Sequence, residues 1–459
     1  MSSLSTRHPA SYRDPSGFIF LHDNKYYRQV NEVFKDDFDL FINSGCYDSL
    51  VKKGLLISHE IINENLTGSP DHYKTLKPGH IPFISYPYEW SFDMLKDAAL
   101  LTLVLVKEAA GYGLMLKDAT PYNIQWHRGK MVFIDTLSFE RYNEQEPWIA
   151  YRQFCETFLG PLLLMHYSNQ SLHPLQLAYP EGIPLPVIRS LLPGRSKFSF
   201  HTHLHIHLHA RLSLQNNTGK TQVVKFSKQK LLNLVTSLET VVKRLKPPHQ
   251  RSTWSEYYDE AAQRSDYLEQ KKKLIGQWIQ KMEPVSSAID LGANEGAFSM
   301  LLANNNIYTL AADMDALCIN NLYKATRDSG QQNLQPLILD LSNPSPAIGF
   351  NNTERMSFNN RAKAGLVMAL ALIHHLAIGK NIPFDKIAGF LQELAAYLII
   401  EFVPKKDEKV QLMLKNKKDI YRDYTEDNFL SSFSEFYSVE DKQAVGSSGR
   451  TLYLMKRHV

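Results

Sequence analysis

A glycine-containing turn directly after a short apolar run is the stretch whose residue types point most clearly to chemistry. In "AIDLGANEGAFS", which starts at Ala288, an acid at Asp290 is followed by Gly292, Asn294 and Gly296. A turn that binds a pyrophosphate would read GxGxxG, but Asn294 stands where the second glycine would be. We therefore predict a cofactor without phosphate. S-adenosyl-L-methionine carries a sulfonium and an amino group, which suit the acid and close backbone approach at the two glycines.

The ends of the next two apolar runs supply further polar residues for such a site. The run "LAADMD" places a carboxylate at Asp313, whose two oxygens can accept hydrogen bonds from both ribose hydroxyls, with Asp315 as the less favoured substitute. The run "LILDL" ends at Asp340 and Leu341. A short polar side chain beside an apolar one suits the amino group and the face of an adenine.

These three motifs, in this order, resemble motifs one to three of the class I S-adenosylmethionine-dependent methyltransferases, over the part of the chain from Trp254 to the C-terminus. Together with "SYRDPSGFIF" near the N-terminus, they are also similar to a bacterial family of methyltransferases related to the nodulation protein NoeA. The resemblance implies cofactor contacts at Gly292, Gly296, Asp313 and Asp340. Tyr257 and Tyr258 in "WSEYYDE" have two interpretations, closing over the cofactor or packing a helix.

Two adjacent histidines in "ALALIHHLAI" are candidates for the base that removes a proton from the methyl acceptor. A histidine with an unperturbed pKa near 6.5 is suited to activate an oxygen or nitrogen nucleophile at neutral pH. Adjacent side chains diverge, so we expect at most one of His374 and His375 to serve, and the alternative is a histidine that caps the following helix. Glu401 in "IIEFVPKKD" orients the substrate or that histidine, or else forms a salt bridge with Lys405 or Lys406.

A second candidate site lies in the first half of the chain, in "KDATPYNIQW". Protein kinases and aminoglycoside phosphotransferases place a catalytic Asp five residues before a metal-binding Asn, and a second metal-binding Asp beyond the next hairpin. Asp118, Pro121 and Asn123 resemble this loop, and "IQWHRGKMVFID" delivers Asp135 at the expected place. The resemblance implies a kinase-like fold and, if the loop is active, ATP and Mg²⁺.

The departures from the kinase pattern favour a fold that persists without the chemistry. "LKD" replaces the usual approach to the catalytic Asp, and "DTL" stands where a kinase has Phe-Gly. The turn in "LHDNKYY" has no glycine to cover phosphates, and no "VAIK" lysine is evident, although Arg28 is a candidate for a phosphate-facing position. A plainer alternative is that Asp118 and Asn123 only satisfy the backbone of a proline-containing turn.

Five histidines recur at every second position in "HTHLHIHLHA", from His201 to His209. On a strand all five would share one face, whereas on a helix His201, His205 and His209 would form one stripe and His203 and His207 another. No nearby acid or cysteine completes a ligand set such as HExxH. We therefore predict a packing segment and no metal site.

Hydrophobic patterning divides the chain into two parts. The first part contains a predicted β-hairpin in "GFIFLHDNKYYRQV", a largely helical region at 85–116, and a helical apolar stripe that stops at the prolines of "LKPPHQRST". In the second part, short apolar runs alternate with helical segments, as in the central strands of a doubly wound α/β sheet. The predicted domains are an α+β kinase-like domain at 1–246, a linker at 247–253 and a Rossmann-like methyltransferase domain at 254–459.

Composition indicates a folded protein of a reducing compartment. The 459 residues are 44% hydrophobic and 21% charged, and a net charge of +4 indicates neither a nucleic-acid partner nor a membrane surface. The N-terminal residues lack the apolar core of a signal peptide, and the run "AALLTLVLV" is too short to span a bilayer. Three cysteines without a CxxC pair argue against disulfides. We expect a cytoplasmic protein, and the resemblance implies a bacterial one.

The leading hypothesis is an S-adenosyl-L-methionine-dependent methyltransferase that acts on an oxygen or nitrogen of a small-molecule or saccharide-type acceptor. Its kinase-like domain would recognise the substrate or a partner. One alternative is an ATP- and Mg²⁺-dependent phosphotransferase or bifunctional enzyme that uses Asp118, Asn123 and Asp135. Another is a non-catalytic protein that has kept the cofactor pocket, which tight cofactor binding without turnover would indicate.

Overall fold

The computed structural model describes residues 5–211, 226–248, 265–415 and 417–458. Contacts divide the chain into an N-terminal unit, Met1–Gln250 with Ala347–Met356, and a C-terminal unit, Arg251–Pro346 with Ser357–Val459. Most of the predicted linker at 247–253 lies outside the described residues, and so does all of "WSEYYDE", with Trp254, Tyr257 and Tyr258. Nothing in the sequence indicated that the short segment Ala347–Met356 would pack with the first unit.

The N-terminal unit begins with a five-stranded antiparallel sheet in the order β1-β2-β3-β5-β4. Its strands are β1 (Thr6–Arg7), β2 (Gly17–His22), β3 (Lys25–Asn31), β4 (His59–Ile62) and β5 (His72–Pro78). Strands β2 and β3 form the predicted hairpin, and its turn residues Asp23 and Asn24 have φ of +48° and +59°. Short polar side chains tolerate this left-handed conformation, so the tight turn forms without glycine.

Helices and two short strand pairs make up the rest of the described part of this unit. The α-helices are α1 (Lys35–Asn43), α2 (Cys46–Lys52), α3 (Phe92–Gly111), α4 (Tyr151–Phe154), α5 (Gly160–Ser168), α6 (Pro174–Ala178), α7 (Leu185–Leu191), α8 (Phe200–Thr202) and α9 (Lys228–Arg244). The strand pairs are β6 (Leu114–Leu116) with β9 (Phe139–Arg141) and β7 (Ile124–His127) with β8 (Lys130–Phe133). Helix α3 occupies the predicted helical region, and α9 buries the predicted apolar stripe at Leu231, Val235 and Leu238.

The histidine run is helical, so the strand alternative is wrong. Helix α8 continues into a π-helical turn at His203–Leu208. His201 Nδ1 and His205 Nε2 each lie 2.9 Å from Ser237 Oγ on α9. The described residues contain no cluster of three or more His, Cys, Asp or Glu suited to a metal. Hydrogen bonding of the run to α9 favours the packing role.

The C-terminal unit is built on a seven-stranded sheet in the order β12-β11-β10-β13-β14-β16-β15. Its strands are β10 (Ser287–Leu291), β11 (Tyr308–Asp313), β12 (Leu334–Ile338), β13 (Ala364–Ala369), β14 (Ala395–Phe402), β15 (Tyr437–Ala444) and β16 (Thr451–Arg457). Strands β10 to β14 are parallel, and β16 pairs antiparallel with both β14 and β15. Because the chain runs outward from β10 to β12 and then returns to β13, the sheet is doubly wound and Rossmann-like.

The five parallel strands follow the five predicted apolar runs, with one correction. Strand β12 ends at Ile338, so Asp340 and Leu341 lie beyond the strand and not within its last residues. The reason is a turn, in which the Asp340 side chain accepts the Ser342 N–H at 2.8 Å and the Asp340 carbonyl accepts the Asn343 N–H at 2.9 Å. The antiparallel strands β15 and β16 were not predicted.

Helices cover both faces of this sheet. They are α10 (Ser265–Lys281), α11 (Ala297–Asn304), α12 (Ala316–Ser329), α13 (Phe358–Arg361), α14 (Phe384–Gln392), α15 (Glu408–Leu414) and α16 (Glu426–Phe433). In one apolar cluster, Ile275 and Trp278 of α10 pack with Met368 of β13 and Ile399 of β14. Within the described residues of the whole chain, no helix combines the length and the apolar character that a membrane crossing requires.

Candidate functional site

The carboxyl ends of the parallel strands surround a cleft of about 450 Å³ in the C-terminal unit. In a doubly wound sheet, ligands bind beside the point where the strand order reverses, which here lies between β10 and β13. The predicted residues that line the cleft are Asp290, Gly292, Asn294, Asp313, Asp340, Leu341, His374 and His375. The volume lies in the range that small-molecule and cofactor sites occupy.

The turn after β10 brings backbone to the cleft wall. Gly292 has a φ of +75°, and a Cβ at this position would lie 3.3 Å from Leu372 Cδ1. Its N–H donates to the Ala312 carbonyl of β11 at 2.9 Å, which ties the turn to the neighbouring strand. A left-handed φ and restricted space together explain why glycine stands here.

Gly296 does not line the cleft, although the resemblance implied a cofactor contact there. It begins α11 with a φ of +79°, and a Cβ at this position would lie 2.5 Å from Leu322 Cδ1 of α12. Gly296 and Leu322 therefore pack against each other outside the cleft lining. The glycine permits close approach of the turn to α12.

Asp313 ends β11 and faces the cleft. Its Oδ2 accepts the Asn294 N–H and its Oδ1 accepts the Asp315 N–H, each at 2.8 Å, and each carboxylate oxygen can accept a further hydrogen bond. Burial raises the pKa of the Asp313 carboxyl, and these hydrogen bonds oppose that rise. Asp315 instead caps α12, accepting the N–H groups of Leu317 and Cys318, so Asp313 is the acid available to a ligand.

Asp290 lies deeper in the same wall and is 2% exposed. Its Oδ2 accepts a hydrogen bond from Ser299 Oγ at 2.5 Å. Burial is the largest effect on this carboxyl and, with the Asp313 carboxylate adding to it, raises its pKa to about 7. The Ser299 hydrogen bond and the Lys271 ammonium act in the opposite direction. A cation bound beside Asp290 would favour its ionised form.

Both candidate histidines face the cleft, contrary to the expectation that adjacent side chains diverge. Their ring centroids are 4.0 Å apart. His374 is 2% exposed, its Nδ1 has no hydrogen-bond partner among the described residues, and its ring does not cap the following π-helical turn. Burial lowers the pKa of His374 well below its usual value, and burial followed by the Arg450 charge lowers that of His375 to about 4. Both rings are therefore neutral at neutral pH.

A buried ion pair that the sequence did not reveal lies beside the histidines. Glu401, at the end of β14, accepts Lys271 Nζ at 2.7 Å and Tyr267 OH at 2.5 Å, and neither charged side chain is more than 3% exposed. The predicted alternative with Lys405 is wrong, because Lys405 pairs with Asp419 at 2.8 Å. A buried carboxylate requires a cationic partner. The sequence did not identify Lys271 as that partner, because the two residues lie 130 positions apart.

The same carboxylate holds the turn that carries the histidines. Glu401 Oε2 accepts the Ala371 N–H at 2.7 Å, and Ala371 has a φ of +49°, an uncommon value for alanine. Next to this group, Arg450 Nη1 donates to Tyr267 OH at 3.2 Å, and its Nε pairs with Asp407 at 2.8 Å. Lys271, Tyr267 and Arg450 all line the cleft, so a connected polar network forms part of its wall.

The kinase-like loop of the N-terminal unit has different surroundings. Asp135 lies just after β8, and its Oδ1 is paired with the Arg28 guanidinium of β3. Its Oδ2 accepts Ser138 Oγ at 2.6 Å. Burial alone would raise the pKa of Asp135, but Arg28 and Ser138 hold it below its ordinary value. The carboxylate is thus ionised and satisfied within the unit.

The other two loop residues also have protein partners. Asp118 Oδ1 accepts Gln153 Nε2 at 3.2 Å, and Asn123 Nδ2 donates to Ser138 Oγ at 3.4 Å. Burial, with the Asp135 carboxylate adding to it, raises the pKa of Asp118. The lysine beside it, Lys117, pairs with Asp14 at 3.2 Å. Asp118, Asn123 and Asp135 thus each have a hydrogen-bond partner within the protein.

One known protein resembles almost the whole chain. The nodulation protein NoeA of Rhizobium meliloti (strain 1021) is 32% identical over 467 aligned residues, which cover 97% of this chain and 95% of NoeA. No protein-family model matches the chain.

Solved structures resemble parts of the chain at low identity. The PH0226 protein of Pyrococcus horikoshii OT3 is 14% identical, with a TM-score of 0.33, over 45% of this chain and 93% of its own. The magnesium protoporphyrin IX methyltransferase ChlM of Synechocystis PCC 6803, solved with bound SAH, is 14% identical, with a TM-score of 0.31, over 42% and 84%. WbdD is 16% identical, with a TM-score of 0.29, over 48% and 46%. TM-scores this low carry no information about substrates.

Proposed function

We propose that in this chain, which belongs to the family of the nodulation protein NoeA, the C-terminal unit is an S-adenosyl-L-methionine-dependent methyltransferase. The observation that carries the proposal is the cleft at the switch point, where Asp290, Asp313 and Asp340 come from the ends of three successive strands. Three carboxylates suit a cofactor that bears two positive charges and no phosphate.

The residues of the cleft wall fit each part of this cofactor. Asp313 has acceptor capacity left for two ribose hydroxyls, since each oxygen makes only one of the hydrogen bonds described here. Asp290 is the acid for the cationic amino-acid end, and the Gly292 backbone permits close approach. Asp340 and Leu341 lie together beyond β12, where they suit an adenine edge and face. When bound, the cofactor supplies an electrophilic methyl group on a sulfonium sulfur.

His375 is the proposed base. It is more exposed than His374, and its neutral ring can accept the proton that the acceptor oxygen or nitrogen loses as it gains the methyl group, although a pKa of about 4 makes it a weaker base than the ordinary histidine that the sequence indicated. His374 is the alternative base, because its buried Nδ1 lacks a described partner. Glu401 positions both rings through the Ala371 N–H.

The N-terminal unit is proposed to have a kinase-like fold that serves recognition of the substrate or a partner. A five-stranded antiparallel sheet, followed by helices and by the β7–β8 hairpin between Asn123 and Asp135, supports this fold. The Arg28 and Ser138 contacts of Asp135 occupy the groups that would hold a metal in an active phosphotransferase. Phosphotransfer with ATP and Mg²⁺ therefore remains the second hypothesis.

Calorimetric titration with S-adenosyl-L-methionine and, separately, with ATP plus Mg²⁺ tests the proposal. We expect saturable binding of S-adenosyl-L-methionine to the full chain and a loss of about 100-fold in affinity in Gly292→Asp, because a carboxylate at this left-handed position fills the space for the ligand. Gly330→Asp is the matched control, since Gly330 has a φ of +67° in the same unit but caps α12 with open space around its Cβ position.

Equal losses in both glycine variants would indicate a general folding defect. Absence of S-adenosyl-L-methionine binding to the intact chain would refute the proposal. Binding of ATP that depends on Mg²⁺ and is lost in Asp135→Ala would instead favour the phosphotransferase hypothesis.

A further inference from the structure

Basic residues are concentrated in one stretch of the N-terminal unit. Between Glu181 and Glu239 the sequence has eight Lys or Arg and no Asp or Glu. This stretch contributes a charge of +8 to a chain whose net charge is +4, so the remaining residues sum to −4. The small net charge of the chain therefore conceals a strongly basic stretch. Charge segregated in this way attracts an anionic partner.

The two acids that border this stretch do not neutralise it. Glu181 pairs with Arg13 at 3.3 Å, and Glu239 pairs with Lys107 of α3. Both carboxylates therefore already have cationic partners outside the stretch, and its positive charge is not compensated at its ends.

Charge and apolar side chains occur together on the part of this stretch from Arg189 to Phe200. Phe198 and Phe200 are 91% and 73% exposed, and Leu191 is 55% exposed. Arg189 and Lys197 are exposed as well, and within the described part of the chain neither takes part in an ion pair. These five side chains are called the basic–apolar surface below.

Buried contacts fix the backbone beneath the basic–apolar surface. Ser196 is fully buried, and its Oγ lies 2.9 Å from His207 Nε2. Leu192 is also buried. Because Ser196 and Leu192 occupy the inward positions of the segment, Phe198 and Phe200 remain outside although the chain between them and α7 is anchored.

The two cations of this surface lie near each other. The pKa of His207 is lowered chiefly by burial, and the charges of Lys197 and Arg189 contribute to the decrease. Both cations are therefore close to the same ring. Leu191 comes two positions after Arg189, and Phe198 follows Lys197 directly, so positive and apolar side chains share one region of the unit.

This combination of side chains suits one class of partner best. Exposed Phe and Leu beside Lys and Arg are typical of segments that lie at the interface of an anionic lipid bilayer. A second copy of the chain would bring like charges together, which disfavours self-association through this surface. Nucleic-acid bases stack on aromatic rings, but they provide no comparable contact for the aliphatic side chain of Leu191.

We infer that the basic–apolar surface attaches the protein peripherally to membranes that contain anionic lipids. Phe198, Phe200 and Leu191 enter the boundary between headgroups and acyl chains, while Arg189 and Lys197 contact the headgroup phosphates. The inference does not rest on the proposed function, because this surface belongs to the N-terminal unit and includes no residue of the cleft.

Co-sedimentation of the full chain with lipid vesicles tests the inference. One set of vesicles contains phosphatidylcholine and phosphatidylglycerol in equal parts, and the other contains phosphatidylcholine alone. We expect binding to the mixed vesicles that weakens as salt concentration rises, because salt screens the attraction. Binding to phosphatidylcholine alone should be at least about tenfold weaker.

Two double variants separate the apolar contribution from the charge contribution. Phe198→Ser combined with Phe200→Ser should weaken binding to the mixed vesicles by about tenfold, because two apolar side chains no longer enter the bilayer. Arg189→Gln combined with Lys197→Gln should weaken it by about tenfold and also reduce its dependence on salt.

Matched controls make the same kinds of change outside the basic stretch. Val33→Ser with Ile61→Ser replaces two exposed apolar side chains, and Lys35→Gln with Lys77→Gln removes two exposed charges. Both controls should bind the mixed vesicles like the unmodified chain. Thermal unfolding of every variant verifies that it is folded.

Failure of the folded, unmodified chain to bind the mixed vesicles would overturn the inference. Equal binding to both kinds of vesicle, or equal losses in the surface variants and their controls, would overturn it as well. Binding of a single-stranded oligonucleotide at the same salt concentration, without binding to vesicles, would assign the surface to nucleic acid instead. Absence of S-adenosyl-L-methionine binding to the unmodified chain would refute the proposed function and leave this inference intact.

Discussion

The two polar clusters of this chain were predicted by the same kind of reasoning, but their surroundings differ. In the C-terminal unit, Asp313 accepts the N–H groups of Asn294 and Asp315 and faces a cleft of about 450 Å³. In the N-terminal unit, Asp135 is held by Arg28 and Ser138. Residue type and spacing can thus place polar groups together, whereas the remaining acceptor capacity decides whether a ligand can use them.

The two units also differ in how deeply their ion pairs are buried. The Lys271–Glu401 pair has side chains 3% and 0% exposed, and the Arg28–Asp135 pair has side chains 17% and 12% exposed. A charge that loses its partner can recruit water in the second pair more readily than in the first. Breaking each pair in turn therefore measures how strongly each cluster depends on internal compensation.

The largest effect is expected from Glu401→Gln. It leaves the Lys271 ammonium buried without a counter-charge, which should lower the free energy of unfolding of the C-terminal unit by about 3–5 kcal/mol. Denaturant unfolding measures the change. Glu283→Gln, which breaks the exposed pair with Lys456, should cause no measurable loss. A Glu401→Gln variant as stable as the unmodified protein would contradict the assigned burial of the pair.

A smaller effect is expected from Asp135→Asn. Arg28 loses its ionic partner but keeps some contact with solvent, so we expect a destabilisation of about 2 kcal/mol. Affinity for S-adenosyl-L-methionine should stay within about twofold, because the proposed cofactor residues belong to the other unit. Loss of cofactor binding in a variant that is still folded would mean that the two clusters do not act separately.

The smallest effect concerns pH. The pKa of Asp290 is about 7 in the folded protein, so below pH 7 its carboxyl must lose a proton before it can pair with a cationic cofactor. Affinity for S-adenosyl-L-methionine should therefore fall as pH decreases from 7.5 to 6, by at most about tenfold per unit. Calorimetry across this range measures it.

Asp290→Asn is the control for this pH dependence. It should bind more weakly at pH 7.5 and show a flatter profile, because its side chain cannot ionise. An equally steep profile in this variant would show that another group causes the pH dependence. Asp313 would then be the first candidate, because burial also raises its pKa.

Much of the cleft could be predicted because its residues are local to strand ends. Strands β10 and β11 coincide with predicted apolar runs, and the acids among their last residues, Asp290 and Asp313, line the cleft. Asp340 was misplaced by two residues relative to its strand, since its turn depends on a hydrogen bond to Ser342 that apolar patterning does not encode. It nevertheless lines the cleft, because the turn stays at the same sheet edge.

Contacts between residues far apart in the sequence could not be predicted from local patterns. Lys271 and Glu401 are separated by 130 positions, and Arg450 lies 43 positions from its partner Asp407. The close approach of Leu322 to Gly296 was likewise not predictable, because Leu322 lies on the following helix, α12. Pairing across elements depends on how the elements pack, and one sequence contains no direct record of it.

Apolar periodicity and turn chemistry are local, so they indicate the parallel strands and the order of polar residues at their ends. Those local signals placed Asp290 and Asp313 at the ends of β10 and β11, the two histidines after β13, and the loop from Asp118 to Asp135 around a hairpin. Only the tertiary structure decided which of these groups meet an open cleft and which meet a protein partner. The physical reason is that burial and charge compensation are set by neighbours brought together from distant parts of the chain.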